Sequence, residues 1–237
     1  MLPLKSRPPA NRLLAALPKK DYQELQRHLE EVPLVFDQVL YRPTELITDV
    51  YFPNSGIVSL LAGINERSTL EVGFVGNDGM VGLSVFLGVG ASVNRAVVQG
   101  SGSAMKMKAT TFRKECNSGS ALPRLLQRYA QSVLMQITQY AVCNQFHAGD
   151  ARLARWLLMT NDRMGGDEFQ LTQQFLSNML GVRREGVSVA AGNLQKRKLI
   201  RYSRGRLKVL DRAGLEATSC VCYEIIKKEV NGNGSLN

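Results

Sequence analysis

The 30 residues from Leu171 to Ile200 constrain the fold of this 237-residue chain more than any other segment. Thr172 is predicted to cap a first helix, whose apolar side would be formed by Phe175, Leu176, Met179 and Leu180. Gly181 then supplies the positive φ angle that a tight turn between two helices requires. A second helix would begin at about Arg183 and bury Val187, Ala190 or Ala191, and Leu194. The pattern predicts a helix-turn-helix.

The residues after this pair of helices predict a β-hairpin. Ile200 and Tyr202 alternate on the outgoing strand, Leu207 and Val209 alternate on the returning strand, and the tip at 204–206 reads Arg-Gly-Arg. A basic hairpin that directly follows a helix-turn-helix is typical of the wing of a winged-helix domain. The alternative is an ordinary helical hairpin with no nucleic-acid role.

The positive charge of the chain is concentrated in this region. The sequence holds 30 Lys and Arg against 20 Asp and Glu, a net charge of +10. Residues 1–150 carry a net +3 and residues 151–237 a net +7, and residues 183–212 alone contain 10 basic and 2 acidic residues. Because most of these basic residues are arginines, the block indicates a polyanion-binding surface. A solvated basic face is the alternative.

The second helix offers donors and acceptors that suit the base edges of double-stranded DNA. Its small residues let it enter the major groove, where Arg184 can donate to guanine and Glu185 can accept from cytosine. Ser188 is the third predicted base contact. The predicted phosphate contacts are basic or hydroxyl side chains of the helices and the hairpin: Arg183, Thr172, Lys196, Arg197, Lys198, Arg201, Arg204 and Arg206.

The N-terminal half has a different pattern. Residues 11–31 predict short helices, and residues 32–110 alternate short apolar runs with Gly, Asn and Pro. This spacing predicts a compact antiparallel sandwich or barrel. The glycine-dense residues 76–90 would pass tightly over its core. The six predicted strands are Pro33–Phe36, Val50–Phe52, Ile57–Leu61, Leu70–Val75, Ala96–Gln99 and Ala104–Lys108.

A long helix is predicted over residues 122–146. Five of its residues follow a 4-3-4-3 spacing that fits either a dimer seam or a core helix of one chain: Leu126, Ala130, Val133, Ile137 and Tyr140. Residues 129–149 carry no charge, which favours burial on more than one side and therefore a homodimer. The same 21 residues are too polar for a membrane span.

The four cysteines are too few for a disulfide framework, and no apolar run near the N-terminus is long enough for a signal peptide. A cytoplasmic protein is therefore expected. Cys220 and Cys222 have no second pair nearby in the sequence, so we expect structural cysteines and no metal site, with a redox-responsive pair as the alternative.

Cys143, His147 and Asp150 share one helical face and superficially resemble a nucleophilic trio. The helix break at Gly149 and the lack of an oxyanion motif predict that the chain is no enzyme. His147 is expected to be a cap or hinge residue, with a haem ligand as the alternative.

Five segments, spread between residues 11 and 216, resemble the Crp/Fnr family of bacterial transcription regulators, and the likeness extends over nearly the whole chain. The resemblance implies an α+β protein with an N-terminal β-jelly-roll sensor domain similar to a cyclic-nucleotide-binding domain. A long dimerisation helix and a C-terminal winged helix-turn-helix would follow, with domains at 1–146 and 147–237. It also implies that Arg184 and Glu185 read bases and that RNA polymerase is a partner. The segments are NRLLAALP, VYFPNSGIVSLL, VGNDGMVGLSVFLG, RLARWLLMTNDR and residues 171–216.

Two departures from that family bear on the effector. In its cyclic-nucleotide-binding members a Gly-Glu-Leu segment holds the ribose and an Arg-Ser or Arg-Thr pair holds the phosphate. Here Leu83 follows Gly82, and Asn94 takes the place of the phosphate arginine, with Arg95 one position late. An effector pocket at these four residues is therefore expected not to take cyclic AMP. An N-terminal iron–sulfur cluster is also not expected, because no cysteine precedes Cys116.

The sequence thus predicts a homodimeric DNA-binding transcription regulator that acts on an inverted-repeat operator. Its N-terminal domain would respond to an unidentified effector, and no cofactor is evident. The alternative is a ligand-binding regulatory module whose basic C-terminal region docks RNA or an acidic protein without operator specificity.

Overall fold

The computed structural model describes residues 9–64 and 69–232, so the outer ends of both predicted domains lie outside the described residues. The N-terminal part begins with two short helices, α1 (Arg12–Ala15) and α2 (Lys19–Gln26). The buried Asn11 side chain docks α1, because it accepts from Leu14 N and donates to the carbonyls of Pro53 and Gly79. Seven strands follow: β1 (Glu30–Leu34), β2 (Val39–Tyr41), β3 (Asp49–Pro53), β4 (Ile57–Gly63), β5 (Thr69–Val75), β6 (Arg95–Gly100) and β7 (Gly102–Lys108).

The strands form two antiparallel sheets that face each other. One has the order β1-β7-β3 and the other β2-β6-β4-β5. Val50 pairs with Met107 across the first sheet and Val58 with Val98 across the second, and all four side chains are buried between the sheets. The predicted β-rich N-terminal domain is confirmed, and all six predicted strands lie within or overlap observed ones. The three-residue strand β2 was not predicted because it is too short to show a period.

The glycine-dense residues 76–90 cross this core as predicted and contain one helical turn, α3 (Leu83–Phe86). Met80 and Val85 are almost completely buried. A glycine is required at position 79 because the Tyr129 ring packs against it, and a Cβ there would clash with the Tyr129 hydroxyl. The segment therefore joins the β sandwich to the long helix.

Helix α4 (Ala109–Cys116) leads to the long helix α5 (Leu122–Phe146), whose bounds match the prediction. Leu126 and Tyr140 were predicted to lie in a dimer seam. Their side chains are only 0% and 4% exposed because they are buried in the cores of their own chain, so they are not available to a second copy. One face of α5 packs on the sandwich and the C-terminal helix. The opposite face exposes Leu134, Ile137, Val142 and Phe146. In the described ranges, none of the helices has both the length and the apolar character that a bilayer span requires.

The C-terminal part begins after His147, where extended backbone ends α5. Its elements are α6 (Gly149–Met164), β8 (Glu168–Gln170), α7 (Gln173–Leu180), α8 (Arg184–Lys196), β9 (Ile200–Ser203), β10 (Arg206–Val209), α9 (Arg212–Thr218) and α10 (Cys222–Gly232). Strand β8, which was not predicted, pairs with β10, so the hairpin belongs to a three-stranded sheet in the order β8-β10-β9.

The two parts share a hydrophobic core around Trp156 of α6. Its ring packs against Phe74 of β5 and Phe175 of α7, with centroids 6.1 Å and 5.4 Å away. The indole Nε1 donates to Glu71 Oε1 at 2.8 Å, and Ser59 Oγ donates to Glu71 Oε2 at 2.7 Å. The domain boundary expected at residue 146 lies at the end of α5. The hydrophobic core around Trp156 nevertheless contains residues from both sides of that boundary.

The buried Glu71 carboxyl predicts a pH-dependent stability. Burial raises the pKa of Glu71 to about 7, even though the bonds from Ser59 and Trp156 act in the opposite direction. In the unfolded chain a glutamate titrates at about 4.3. The folded protein thus holds this proton more tightly, and its stabilising contribution is complete below about pH 4.3 and is lost as the pH rises to about 7.

We expect the free energy of unfolding to fall by up to about 3 kcal/mol across this window because of Glu71 alone. Glu71→Gln keeps a side-chain oxygen that can accept a hydrogen bond but removes the titrating carboxyl. The free energy of unfolding of this variant should therefore not show the part of the decline that Glu71 causes. Urea unfolding at several pH values between about 4 and 8 measures the difference. Identical pH slopes for the two proteins would contradict the assignment.

Candidate nucleic-acid interface

Helix α7 and the turn after it have the predicted geometry. Thr172 Oγ1 accepts from Phe175 N at 3.1 Å, so Thr172 is the N-cap. Gly181 ends the helix at φ +59°, and Ser177 Oγ donates to Val182 O at 2.6 Å, which holds the turn closed. The apolar side of α7 is buried as expected, through Phe175, Leu176, Met179 and Leu180.

Helix α8 packs on α6 and α7 through Val187, Ala190, Ala191 and Leu194. The sequence predicted that one of the two alanines is buried, and the structure buries both. Arg183 occupies the N-cap position in extended conformation and makes no side-chain cap. The first backbone N–H groups of α8 are therefore left without a side-chain cap and remain available to an anion.

The outer face of α8 presents the three predicted base contacts. Arg184, Glu185 and Ser188 are exposed. Gln174 Oε1 of α7 accepts from Arg184 Nη2 at 2.8 Å, while Ser188 Oγ donates to the carbonyl of Arg184 at 3.2 Å. Gln174 was missed by sequence reasoning, because only the crossing of α7 and α8 places its amide beside Arg184. This bond orients the guanidinium before any ligand arrives.

The hairpin forms a compact wing. Arg204 and Gly205 both have positive φ, +49° and +75°, as in the two-residue turns that match strand twist. Gly205 O accepts from Leu171 N at 2.8 Å, and Tyr202 OH donates to Leu171 O at 3.1 Å. These bonds tie the wing to the start of α7. The turn is therefore one residue shorter than the predicted three-residue tip.

One concave surface joins the predicted residues from the two helices and the wing. It is lined by Thr172, Gln174, Arg184, Ser188, Gln195, Tyr202 and Arg204. The other predicted phosphate contacts are exposed and lie outside this concavity. Among them, Arg206 faces Glu168 at 3.6 Å, and Arg183 lines a separate groove with residues of β4 and β5.

The predicted effector residues lie at one end of the sandwich. Gly82 caps α3 with φ +97°, and Leu83 packs against the core. Arg95 begins β6, and its buried Nε has no hydrogen-bond partner in the part of the chain that the structure describes. Asn94 N donates to Ser92 Oγ at 3.1 Å. The buried Tyr41 hydroxyl interacts with Ser92 and with the Gly82 backbone, between these segments.

Four residues from distant parts of the sequence form a compact cluster, the Cys–His cluster, at the junction of the two parts. Cys143 Sγ lies 3.5 Å from Cys220 Sγ, and Cys222 Sγ lies 3.5 Å from His147 Nδ1. All four ligand atoms lie within 4.8 Å of one another. The expectation of no metal or cofactor site is therefore wrong, because α5 and the residue after it supply the ligands that Cys220 and Cys222 lack in the sequence.

The structure also bears on the other sequence interpretations of these residues, and His147 is the C-cap of α5, as expected. The hydrogen bond from Cys220 lowers the pKa of Cys143, and donating that bond raises the pKa of Cys220. Asp150 Oδ1 accepts from Ala151 N instead of orienting His147. The imidazole of His147 faces sulfur, so the three residues do not form the arrangement of a nucleophile, base and orienting acid.

Comparison with known proteins gives matches to both parts of the chain. Residues 151–218 match the Crp-like helix-turn-helix domain. FixK2 from Bradyrhizobium japonicum superimposes with a TM-score of 0.67 at 17% identity, covering 81% of this chain and 98% of FixK2. The c-di-GMP-responsive global regulator CLP from Xanthomonas campestris gives a TM-score of 0.65 at 16% identity, covering 81% and 99%.

A CRP-family transcriptional regulator from Thermus thermophilus gives a TM-score of 0.66 at 16% identity, covering 79% of this chain and 96% of that protein. Among proteins of curated function, none matches the sequence. At these identities the similarity is one of fold, and it includes the β sandwich, the long helix and the helix-turn-helix.

Proposed function

We propose that this chain, a Crp/Fnr-type transcription regulator by its fold and its Crp-like helix-turn-helix domain, binds an inverted-repeat operator as a homodimer in the cytoplasm. The observation that carries the proposal is the concave surface between α7, α8 and the wing. It combines an oriented Arg184 with exposed hydroxyl and basic groups, and its α8 and wing residues belong to residues 183–212, which hold a net +8.

The exposed face of α8 suits direct readout in the major groove. Arg184 presents two parallel donors to a guanine edge, and Glu185 accepts from a cytosine amino group on the neighbouring base pair. Ser188, one turn further along α8, can donate a hydrogen bond to a base edge or accept one from it. Val189 is 63% exposed on the same helix, so its apolar side chain can contact the methyl group of a thymine.

Phosphate contacts would surround this base-reading face. Arg204 lies at the tip of the wing and Thr172 at the N-terminus of α7, and because the wing is bonded to the start of α7, both line the concave surface beside α8. Lys196, Arg197 and Lys198 are exposed at the other end of α8. Arg206 would contribute less, because its charge is already opposed by Glu168. Such contacts position the protein without reading sequence.

The exposed apolar face of α5 supports the dimer. Leu134 is 61% and Phe146 is 75% exposed, and no charged side chain lies between residues 129 and 149. A second copy of the same helix would cover these side chains and relate two copies of α8 by a two-fold axis. The two recognition helices would then enter successive major grooves about 34 Å apart.

Selection from a library of random duplexes tests this function. We expect the full chain to enrich an inverted repeat whose half-site centres lie about 10 base pairs apart. Binding to the enriched duplex should exceed binding to a scrambled duplex by at least about a thousandfold at physiological salt. Equal retention of all sequences, with the same salt dependence, would contradict operator recognition and would favour docking of RNA or an acidic protein.

The sandwich would transmit an effector signal through the shared core. Gly82, Leu83, Asn94 and Arg95 stay our predicted effector pocket, and the buried Arg95 Nε supports it because this atom lacks a partner among the described residues. RNA polymerase would be the protein partner of the operator-bound dimer.

A further inference from the structure

We propose that the Cys–His cluster of Cys143, His147, Cys220 and Cys222 binds a single Zn²⁺ ion that joins the end of the long helix α5 to the C-terminal helix α10. Cys143 lies in the last turn of α5 and His147 directly follows it. Cys220 precedes α10 and Cys222 begins it. The three sulfurs belong to buried residues, and the imidazole is partly exposed.

The spacing of the ligand atoms fits one tetrahedral ion. With Zn–S distances of about 2.3 Å, two sulfurs of a tetrahedral site lie about 3.8 Å apart. The Cys143–Cys220 and Cys222–His147 separations are both 3.5 Å, and all separations are within 4.8 Å. In an iron–sulfur cluster the four ligands are divided over at least two iron atoms, so ligands on different irons would lie further apart than the four atoms here.

The donor set agrees with zinc and with a structural site. Three thiolates and one imidazole are one of the common ligand sets of structural zinc. Because all four positions are protein ligands, the ion would have no open position for a substrate. His147 presents Nδ1 to the sulfur of Cys222, so Nδ1 would be its ligand atom.

The surroundings supply what a thiolate-rich site requires. Gln139 Nε2 donates to Cys222 Sγ at 3.0 Å, which is an outer hydrogen bond to a ligand sulfur. Zn²⁺ with three thiolates and a neutral imidazole carries one net negative charge. Arg152 and Arg155, 7% and 3% exposed, both interact electrostatically with Cys143 and Cys220.

Apart from the thiolates, Arg155 interacts electrostatically with the buried Glu71 carboxyl, whose raised pKa of about 7 keeps it largely protonated below that pH. Within residues 9–64 and 69–232, neither Arg152 nor Arg155 forms an ion pair with a carboxylate, and the Nε atom of each has no hydrogen-bond partner. A buried cation without an opposing charge is costly. A negatively charged zinc–thiolate group beside them would offset that cost.

The ion would hold together the point at which the chain passes from the sandwich to the helix-turn-helix. His147 ends α5 immediately before α6, and α10 packs against both α5 and α6. Zinc at this place would fix the angle at which the DNA-binding part leaves the long helix. Its removal should therefore release α10 and lower the unfolding temperature.

Metal analysis of the full chain, purified without chelator, tests the proposal. We expect one zinc per chain, and at least about a tenfold loss of bound zinc in Cys220→Ser. Cys116→Ser is the matched control, because Cys116 lies in α4 outside the cluster and its loss should leave the zinc content unchanged. Gln139→Leu, which retains all four ligands, should weaken zinc binding by about tenfold or more.

Cobalt substitution keeps the test informative if Cys220→Ser does not fold. Wild-type protein stripped with a chelator and titrated with Co²⁺ should develop the absorption of a tetrahedral, thiolate-bound ion, saturating at one equivalent. Its unfolding temperature should rise on adding Zn²⁺. No metal together with a Cys143–Cys220 disulfide, bound copper in place of zinc, or equal loss of zinc in Cys116→Ser would each overturn the proposal.

Discussion

Arg184→Ala should remove the preference for one base pair in each half-site of the operator while leaving binding to unrelated DNA nearly unchanged. Arg184 is exposed on the leading turn of α8 and is held by Gln174, so its side chain is oriented for a bidentate contact. Losing such a contact costs about 1–3 kcal/mol per half-site, or about 5- to 160-fold in affinity for each. Fluorescence anisotropy with operator duplexes carrying every base at that position measures the loss.

Arg204→Ala is the matched control, since it removes the same side chain from the tip of the wing. It should weaken binding to all sequences alike and reduce the slope of log K against log salt by about 1. Arg184→Ala should change the slope little. If both variants lost the same affinity for operator and scrambled duplexes, the assignment of a base-reading and a phosphate-binding arginine would be wrong.

Trp156→Ala should lower the free energy of unfolding by about 3–5 kcal/mol. The indole is 1% exposed, packs between Phe74 and Phe175, and donates to Glu71. Truncation would leave a cavity between the sandwich and the helix-turn-helix and would also remove a donor from a buried carboxyl. Because the residue lies where the two parts meet, we expect the variant to unfold in two transitions where the wild type unfolds in one.

Two further variants separate packing from hydrogen bonding. Trp156→Phe keeps much of the aromatic packing and loses the N–H donor, so it should cost about 1–3 kcal/mol. Leu87→Ala removes an apolar side chain that is 60% exposed and should change stability by less than about 0.5 kcal/mol. Urea unfolding followed by circular dichroism gives all three values. A loss in Trp156→Ala no larger than that in Leu87→Ala would show that the two parts do not share a core.

The elements that could be predicted are those whose signals are local. The N-cap at Thr172, the positive φ of Gly181 and the apolar faces of α7 and α8 depend on residues within one or two turns of each other. The bounds of α5 were predictable for the same reason, since its helical period continues over 25 residues. The exposed face of α8, which we propose reads bases, followed as the complement of its buried face.

The elements that were missed depend on contacts between distant residues. Strands β2 and β8 have three residues each, too few to show a period, and exist because neighbouring strands pair with them. Leu126 and Tyr140 share a helical spacing with Ile137, but only the packing of α5 decides that the first two are buried in their own chain. The bond from Arg184 to Gln174 similarly requires the crossing of two helices.

The sequence by itself determined the class of the protein, because patterns of helix, turn, strand and charge within residues 171–216 specify a basic winged helix. Only the tertiary structure decided what lies between the two parts. It brings Cys143 and His147 to Cys220 and Cys222 across more than 70 residues and buries Glu71 against Trp156. A local pattern cannot contain such information, because metal ligands and core partners are selected by proximity in space and not by spacing along the chain.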